Sequence, residues 1–271
     1  MRPSFILTDI DHTLLSERGE LPRRNAEALR RACDEGSTVV LATARSFPGA
    51  LPVHEALGLS TPLIVSNGTL VYESDGSLIH TVTIRREVVE EIFELFKDSG
   101  LHWSLRAGEI AYVHEDFDRS QAPYDDDRYY AARLPEALEG VVSLSLFGEG
   151  VAEFFERHDW AKWALAGAYY APSAFDRREA MTLISEQTSK GEAAAWLREH
   201  LGLAHLPILA IGDSLADATM FALGTGVAPA NSIAEVQEAA HWVAPHCDEG
   251  AVAAAVERFV LVGENPAGEG G

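Results

Sequence analysis

The stretch FILTDIDHTLL, residues 5–15, decides how the rest of the chain is read. Phe5, Ile6 and Leu7 form an apolar run of the kind a buried strand needs, and it ends on two carboxylates, Asp9 and Asp11, one residue apart. Side chains alternate along an extended chain, so residues i and i+2 point the same way. Two carboxylates so placed repel each other unless a cation or a shared proton lies between them. A core strand that runs into two acids therefore poses a question of chemistry, and the other segments must supply the partners.

Working outward, Pro22 stands where a first helical turn begins, and Ala26, Leu29 and Ala32 follow at helical spacing until Gly36. TVVLATA (38–44) reads as a second buried strand, 47–57 as a helix, and PLIVSNG (62–68) as a third strand closed by the turn pair Asn67-Gly68. The Asp75-Gly76 pair predicts a hairpin over 69–80. Strands alternating with helices predict an α/β architecture with a parallel sheet. From about residue 82 the pattern changes. An amphipathic helix carrying Val88, Val89, Ile92, Leu95 and Phe96 precedes strand-like runs at 101–106, 110–114 and 141–147, a helix near 150–158, and strands near 164–170 and 180–185. This predicts an α+β insert over 82–183 within a discontinuous core of residues 1–81 and 184–262, with 263–271 as a disordered Gly- and Glu-rich tail. The acidic run YDDDRYY (124–130) reads as solvated surface of the insert. The core pattern resumes with a helix after SKGEA, carrying Ala193, Ala194, Leu197 and Leu201, and then PILAIGDS (207–214), a strand that runs into Asp213.

Composition limits the possible functions. A chain of 271 residues, 47% hydrophobic and 23% charged, can bury a large core and a smaller second one. A net charge of -21 repels polyanions, which argues against nucleic acid and against an anionic membrane as partners. Cys33 and Cys247 have no metal-ligand spacing, the N-terminal apolar run is broken at Asp9, and no stretch of about 18 apolar residues is present. These features predict a cytoplasmic protein, monomeric or homodimeric, acting on a small molecule.

Polar residues gather where strands end: Asp9 and Asp11, Thr43, Asn67 and Asp213, with Lys190 at the start of a helix and Asp217 four residues beyond Asp213. Open α/β sheets bind ligands beyond the carboxyl ends of their strands. The set contains what phosphoryl transfer demands. One carboxylate can act as nucleophile and another as proton donor, an amine and a hydroxyl can hold phosphoryl oxygens, and further carboxylates can hold a hard divalent ion such as Mg2+. Taken singly the pieces are ordinary, since a lysine on a helix is normally solvated and Gly-Asp-Ser before a helix is normally a cap.

As a set, DIDHTLL, LATAR, SKG and GDSLAD resemble the four motifs of the haloacid dehalogenase superfamily. The insert between SNG and the lysine resembles the larger α/β cap of its Cof-type branch (subfamily IIB), which includes sugar-phosphate phosphatases such as the sucrose-phosphate and mannosyl-3-phosphoglycerate phosphatases. The resemblance implies a Rossmann-like parallel-sheet core with an inserted cap. It also implies a magnesium-dependent phosphatase that hydrolyses a small phosphorylated metabolite, a sugar phosphate, through an aspartyl-phosphate. Position by position, it implies Asp9 as nucleophile and metal ligand, and Asp11 as general acid and base with its backbone carbonyl on the metal. Thr43 and Lys190 would hold the phosphoryl group, Asp213 and Asp217 the metal, and Arg45 and Asn67 would contact substrate or close the cap. The chain departs from the usual motifs at Ala44 and His12, where relatives show Gly, and at Ala216, where they show Asn; the last change implies one lost orienting contact at Asp217 or the metal. A phosphomutase resembling the phosphomannomutases uses the same nucleophile and is the competing enzyme. A receiver-like phosphoacceptor domain is the competing reading from another class, set apart by its smaller size and its lack of a large insert.

Overall fold

All four side chains of β1 (Phe5–Thr8) are fully buried in the computed structural model, which describes residues 3–108, 110–114, 128–131, 139–170 and 179–261. A strand covered on both faces belongs inside a parallel sheet layered with helices. After β1 come α1 (Arg23–Asp34), β2 (Thr38–Leu41), α2 (Phe47–Leu57), β3 (Leu63–Val65), β4 (Leu70–Tyr72) and β5 (Leu78–Thr81). Next are α3 (Arg86–Ser99), β6 (His102–Ala107), β7 (Ile110–His114), β8 (Arg128–Ala131), β9 (Val141–Phe147), α4 (Val151–Arg157), β10 (Leu165–Tyr170) and β11 (Ala180–Ser185). The chain continues through α5 (Lys190–His200), β12 (Ile208–Ile211), α6 (Leu215–Phe221), β13 (Thr225–Pro229), α7 (Ala234–Ala239), β14 (Trp242–Ala244) and α8 (Ala251–Val256). These elements fall into two compact units, residues 1–79 with 189–271, and residues 80–188.

The first unit holds a parallel sheet in the order β14-β13-β12-β1-β2. Register decides what this sheet does. Thr8 is level with Ile211 on one side and with Leu41 on the other, so three strands finish together. The ladder runs one step further: Asp9 N donates to Ile211 O (2.9 Å) and Ala42 N to Thr8 O (3.0 Å). β3 joins this edge through a single parallel bridge, Ala42 to Ile64, and otherwise pairs with β4 in a three-stranded sheet, β3-β4-β5. Asp9, Thr43, Ser66 and Asp213 thus leave neighbouring strand ends because the hydrogen-bond register makes them leave there.

The second unit carries a six-stranded sheet in the order β10-β11-β9-β6-β7-β8, antiparallel except for the β7–β8 pair. Its core is apolar and aromatic: Val88, Val89, Ile92, Phe93 and Phe96 of α3 cluster with Trp103, Leu144, Leu146, Trp160, Trp163 and Leu183. β8 occupies a stretch whose acidity hides it from pattern reading, although Tyr129 and Tyr130 are strand formers. Residues 124–127 of the acidic run and the tail 263–271 lie outside the described residues. No helix among the described residues is long and apolar enough to cross a membrane.

Candidate functional site

Lys190 is the hinge of the arrangement. Ser189 caps α5, its hydroxyl oxygen accepting from Glu192 N at 3.0 Å, which fixes the first helical residue in place. Lys190, only 2% exposed, donates from Nζ to Asp9 Oδ1 and to Asp217 Oδ1, both at 2.6 Å. Asp217 is fully buried, and its second oxygen accepts from Ser214 N (2.9 Å) and Ser214 Oγ (2.6 Å). Asp213 Oδ1 accepts from Thr13 Oγ1 at 2.8 Å, tying β12's end to the turn that follows β1. Ligand oxygens of Asp9, Asp213 and Asp217 all lie within 4.8 Å of one another.

Two glycines make these approaches possible. A Cβ on Gly212 would stand 2.2 Å from Asp217 Cβ, so any larger residue would expel that carboxylate. Gly68, at φ +92°, has Ser189 O 2.2 Å from where its Cβ would be, and so lets the turn after β3 lie against the start of α5.

Beside the cluster, Arg45 grips Asp11 with both arms, Nε to Oδ2 at 2.8 Å and Nη2 to Oδ1 at 2.6 Å, while Nη1 donates to Gly49 O at 3.0 Å. Thr43 is 1% exposed; its Oγ1 accepts from Arg45 N (3.1 Å) and its carbonyl from Asn67 N (3.0 Å). Ser66, Asn67 and Gly68 are consecutive left-handed residues, φ 50°, 58° and 92°, a local strain of the sort that persists where surrounding contacts impose it. The structure thus brings Asp9, Lys190, Asp213 and Asp217 into direct association, pairs Asp11 with Arg45, and links Thr43, Arg45 and Asn67 through the backbone.

Charge explains what the cluster wants. Burial, together with repulsion from Asp217, Asp213 and Asp11, raises the Asp9 pKa well above the carboxylate range, against the pull of Lys190. Burial and Asp217 push Asp213 up to about 6, opposed by the Thr13 hydrogen bond, His12 and Lys190. Burial works against the Lys190 ammonium too, but attraction by Asp217 and Asp9 prevails and its pKa is raised. Four carboxylates (Asp9, Asp11, Asp213, Asp217) face two cations (Lys190, Arg45), which leaves a formal charge of 2 − 4 = −2. An all-oxygen donor set with that surplus fits one hard divalent cation. A second group of ligand types, His246, Cys247 and Asp248, is committed elsewhere: His246 Nδ1 accepts from Asp248 N (3.2 Å) and Asp248 Oδ1 from Glu17 N (2.8 Å).

Thr13 and Ser214 were not among the expected site residues. The signal for Ser214 was present, a Ser followed three residues later by an acid at a helix start; Thr13 bonds a partner 200 residues away and leaves no local trace. The expected loss of an orienting contact through Ala216 is not seen at Asp217, since both of its oxygens are held by Lys190 and Ser214.

The model of the haloacid dehalogenase-like hydrolase family matches residues 6–256. Phosphatase YwpJ of Bacillus subtilis is 28% identical over 278 residues, spanning 92% of this chain and 97% of the relative. The 5-amino-6-(5-phospho-D-ribitylamino)uracil phosphatase YwtE of the same organism is 26% identical over 282 residues, spanning 94% and 97%. Among solved structures, the subclass IIB sugar phosphatase BT4131 superposes with a TM-score of 0.77 at 21% identity, over 94% of this chain and 98% of that one. At that identity the likeness establishes the fold.

Proposed function

Because the chain belongs to the haloacid dehalogenase-like hydrolases, we propose that this phosphatase releases inorganic phosphate from a small phosphorylated metabolite, a sugar phosphate, through an aspartyl-phosphate on Asp9 with Mg2+ bound. The observation that carries the reading is the buried Lys190 ammonium held 2.6 Å from both Asp9 and Asp217. Burial and the neighbouring acids hold Asp9 toward its neutral, poorly nucleophilic form; Lys190 opposes them, and a bound divalent cation would add to that pull and make the ionised form available for attack.

In the first step an Asp9 oxygen forms a bond to phosphorus as the bond from phosphorus to the substrate's ester oxygen breaks. Asp11 gives the departing oxygen its proton. To do so it must first leave the double hydrogen bond of Arg45, in which both of its oxygens accept, and take up a proton from solvent, which frees the guanidinium to take a substrate oxygen in its place. Lys190 and Thr43 hold phosphoryl oxygens, and Asn67 contacts the substrate. In the second step Asp11 takes a proton from water, whose oxygen attacks phosphorus and breaks the bond to Asp9, restoring the Asp9 carboxylate and the protonated Asp11. Asp9, Asp213 and Asp217 would hold the metal with the Asp11 carbonyl; it supplies charge neutralisation for the transferring group. A reducing cytoplasmic setting is part of the same reading, supported by the free thiols of Cys33 and Cys247. The sugar-phosphate assignment rests on the resemblance to the Cof-type branch, and the YwtE relative is named for a substrate that carries a phosphorylated ribityl group.

The test is phosphate release from a panel of phosphorylated sugars and p-nitrophenyl phosphate with magnesium. Turnover is expected, and Asp9→Asn is expected to lower kcat by about a thousandfold or more. Parent activity within tenfold in that variant, or isomerised hexose phosphate without free phosphate, would turn the reading toward another nucleophile or toward a mutase.

A further inference from the structure

Two asparagines to which the mechanism gives no role hold the turn after Asp9. Asn25 Nδ2 donates to Leu14 O (2.9 Å) while its Oδ1 accepts from Ala253 N (2.9 Å). Asn231 repeats the arrangement on the other side, Nδ2 donating to His12 O (2.8 Å) and Oδ1 accepting from Cys247 N (2.9 Å). The orientation of the Asn231 amide is fixed by its partners, since a carbonyl only accepts and a backbone N–H only donates.

What lies between these staples is unusual. His12 adopts φ 55°, ψ 10°, the left-handed region, which a residue with a Cβ enters unwillingly. It separates Asp11, gripped by Arg45, from Thr13, whose hydroxyl holds Asp213. Were His12 to relax to the ordinary helical or extended region, the peptide planes on both sides would rotate and both side chains would leave their partners. The turn closes on itself through Leu15 N, which donates to Ile10 O at 2.9 Å. Asn25 is fully buried and belongs to the core, whereas Asn231 is partly exposed and has less packing to lose.

Resting on the function proposed above, we propose that Asn231 is a positioning residue for phosphoryl transfer: by holding the His12 carbonyl it keeps the left-handed turn that sets Asp11 and Thr13 in place. Reactions of this kind are sensitive to such placement, a displacement of about 1 Å costing about a hundredfold in rate.

The full-length protein is assayed on p-nitrophenyl phosphate with magnesium, and amide exchange of Leu15 is measured by NMR relative to Ile6 in β1. Asn231→Ala is expected to lower kcat by about tenfold to a hundredfold with KM within threefold, and to speed Leu15 exchange about fivefold. Asn231→Asp keeps the acceptor for Cys247 and loses the donor for His12, so it is expected to speed Leu15 exchange just as much. Asn25→Ala, by contrast, is expected to lower the denaturation midpoint. The proposal is overturned if Asn231→Ala leaves kcat or Leu15 exchange within twofold of the parent, or if Asn231→Asp restores Leu15 protection. Retained turnover in Asp9→Asn would sink the proposed chemistry instead, and Leu15 exchange would still decide whether Asn231 holds the turn.

Discussion

The two units bury different things. In residues 80–188 the buried polar side chains among the described residues are Ser185 and Thr188, and the interior is otherwise Leu, Ile, Val, Ala, Phe, Trp and Met. The other unit buries Thr8, Asp9, Thr13, Asn25, Thr43, Asn67, Lys190 and Asp217 beneath an equally apolar sheet. Apolar burial is sufficient for a fold; a buried ammonium between two buried carboxylates carries a desolvation cost that close pairing only partly offsets. The contrast teaches that the second unit's interior is built for stability, while the first accepts electrostatic cost where its strands end, and such cost is where chemistry is to be sought.

Mutations that break one unit's logic and spare the other's sharpen this contrast. The largest effect is expected at Lys190→Ala, which strands Asp9 and Asp217 in the interior: about 3–5 kcal/mol of stability at neutral pH, read as the urea midpoint, and an effect that shrinks in acid as the carboxylates protonate. Leu144→Ala in the second unit is expected to cost about 3 kcal/mol through cavity formation, read by tryptophan fluorescence in denaturant, with no such pH dependence.

Asp213→Asn comes next, with the opposite sign. The folded protein raises this carboxyl to about 6, above its value of about 4 in an unfolded chain. Folding therefore favours the protonated form, and the ionised form costs stability that is absent below about pH 4 and fully present above about pH 6. Without added metal the variant is expected to melt above the parent at pH 7.5 by about 2 kcal/mol of stability, the gap closing at pH 4. Added magnesium is expected to raise the parent's melting temperature and to leave the variant's less changed. The smallest effect is at Arg157→Ala on α4, where an exposed pair with Glu153 at 2.5 Å is worth about 0.3 kcal/mol.

Much of the first unit was legible because its signals are local. The apolar run before Asp9, the helix at 47–57, and the strand into Asp213 each announce themselves within ten residues, and parallel register then makes their ends meet. What could not be read depends on long-range geometry: that Arg45 holds Asp11 across 34 positions, that Thr13 reaches Asp213, and that β3 is tied to the main sheet by one bridge. His12 is the clearest case, since nothing in its neighbours foretells a left-handed backbone held by an asparagine 219 residues away. β8 escaped for the converse reason, its tyrosines being masked by the acids before them.

The central claim is that the carboxylate beside Lys190 is the one that takes the phosphoryl group. Acid quenching during turnover of p-nitrophenyl phosphate, followed by peptide mass spectrometry, tests it directly: the phosphoryl group is expected on the peptide containing Asp9 and absent from the Asp9→Asn variant. Turnover at the parent rate with the label on another residue would contradict the account.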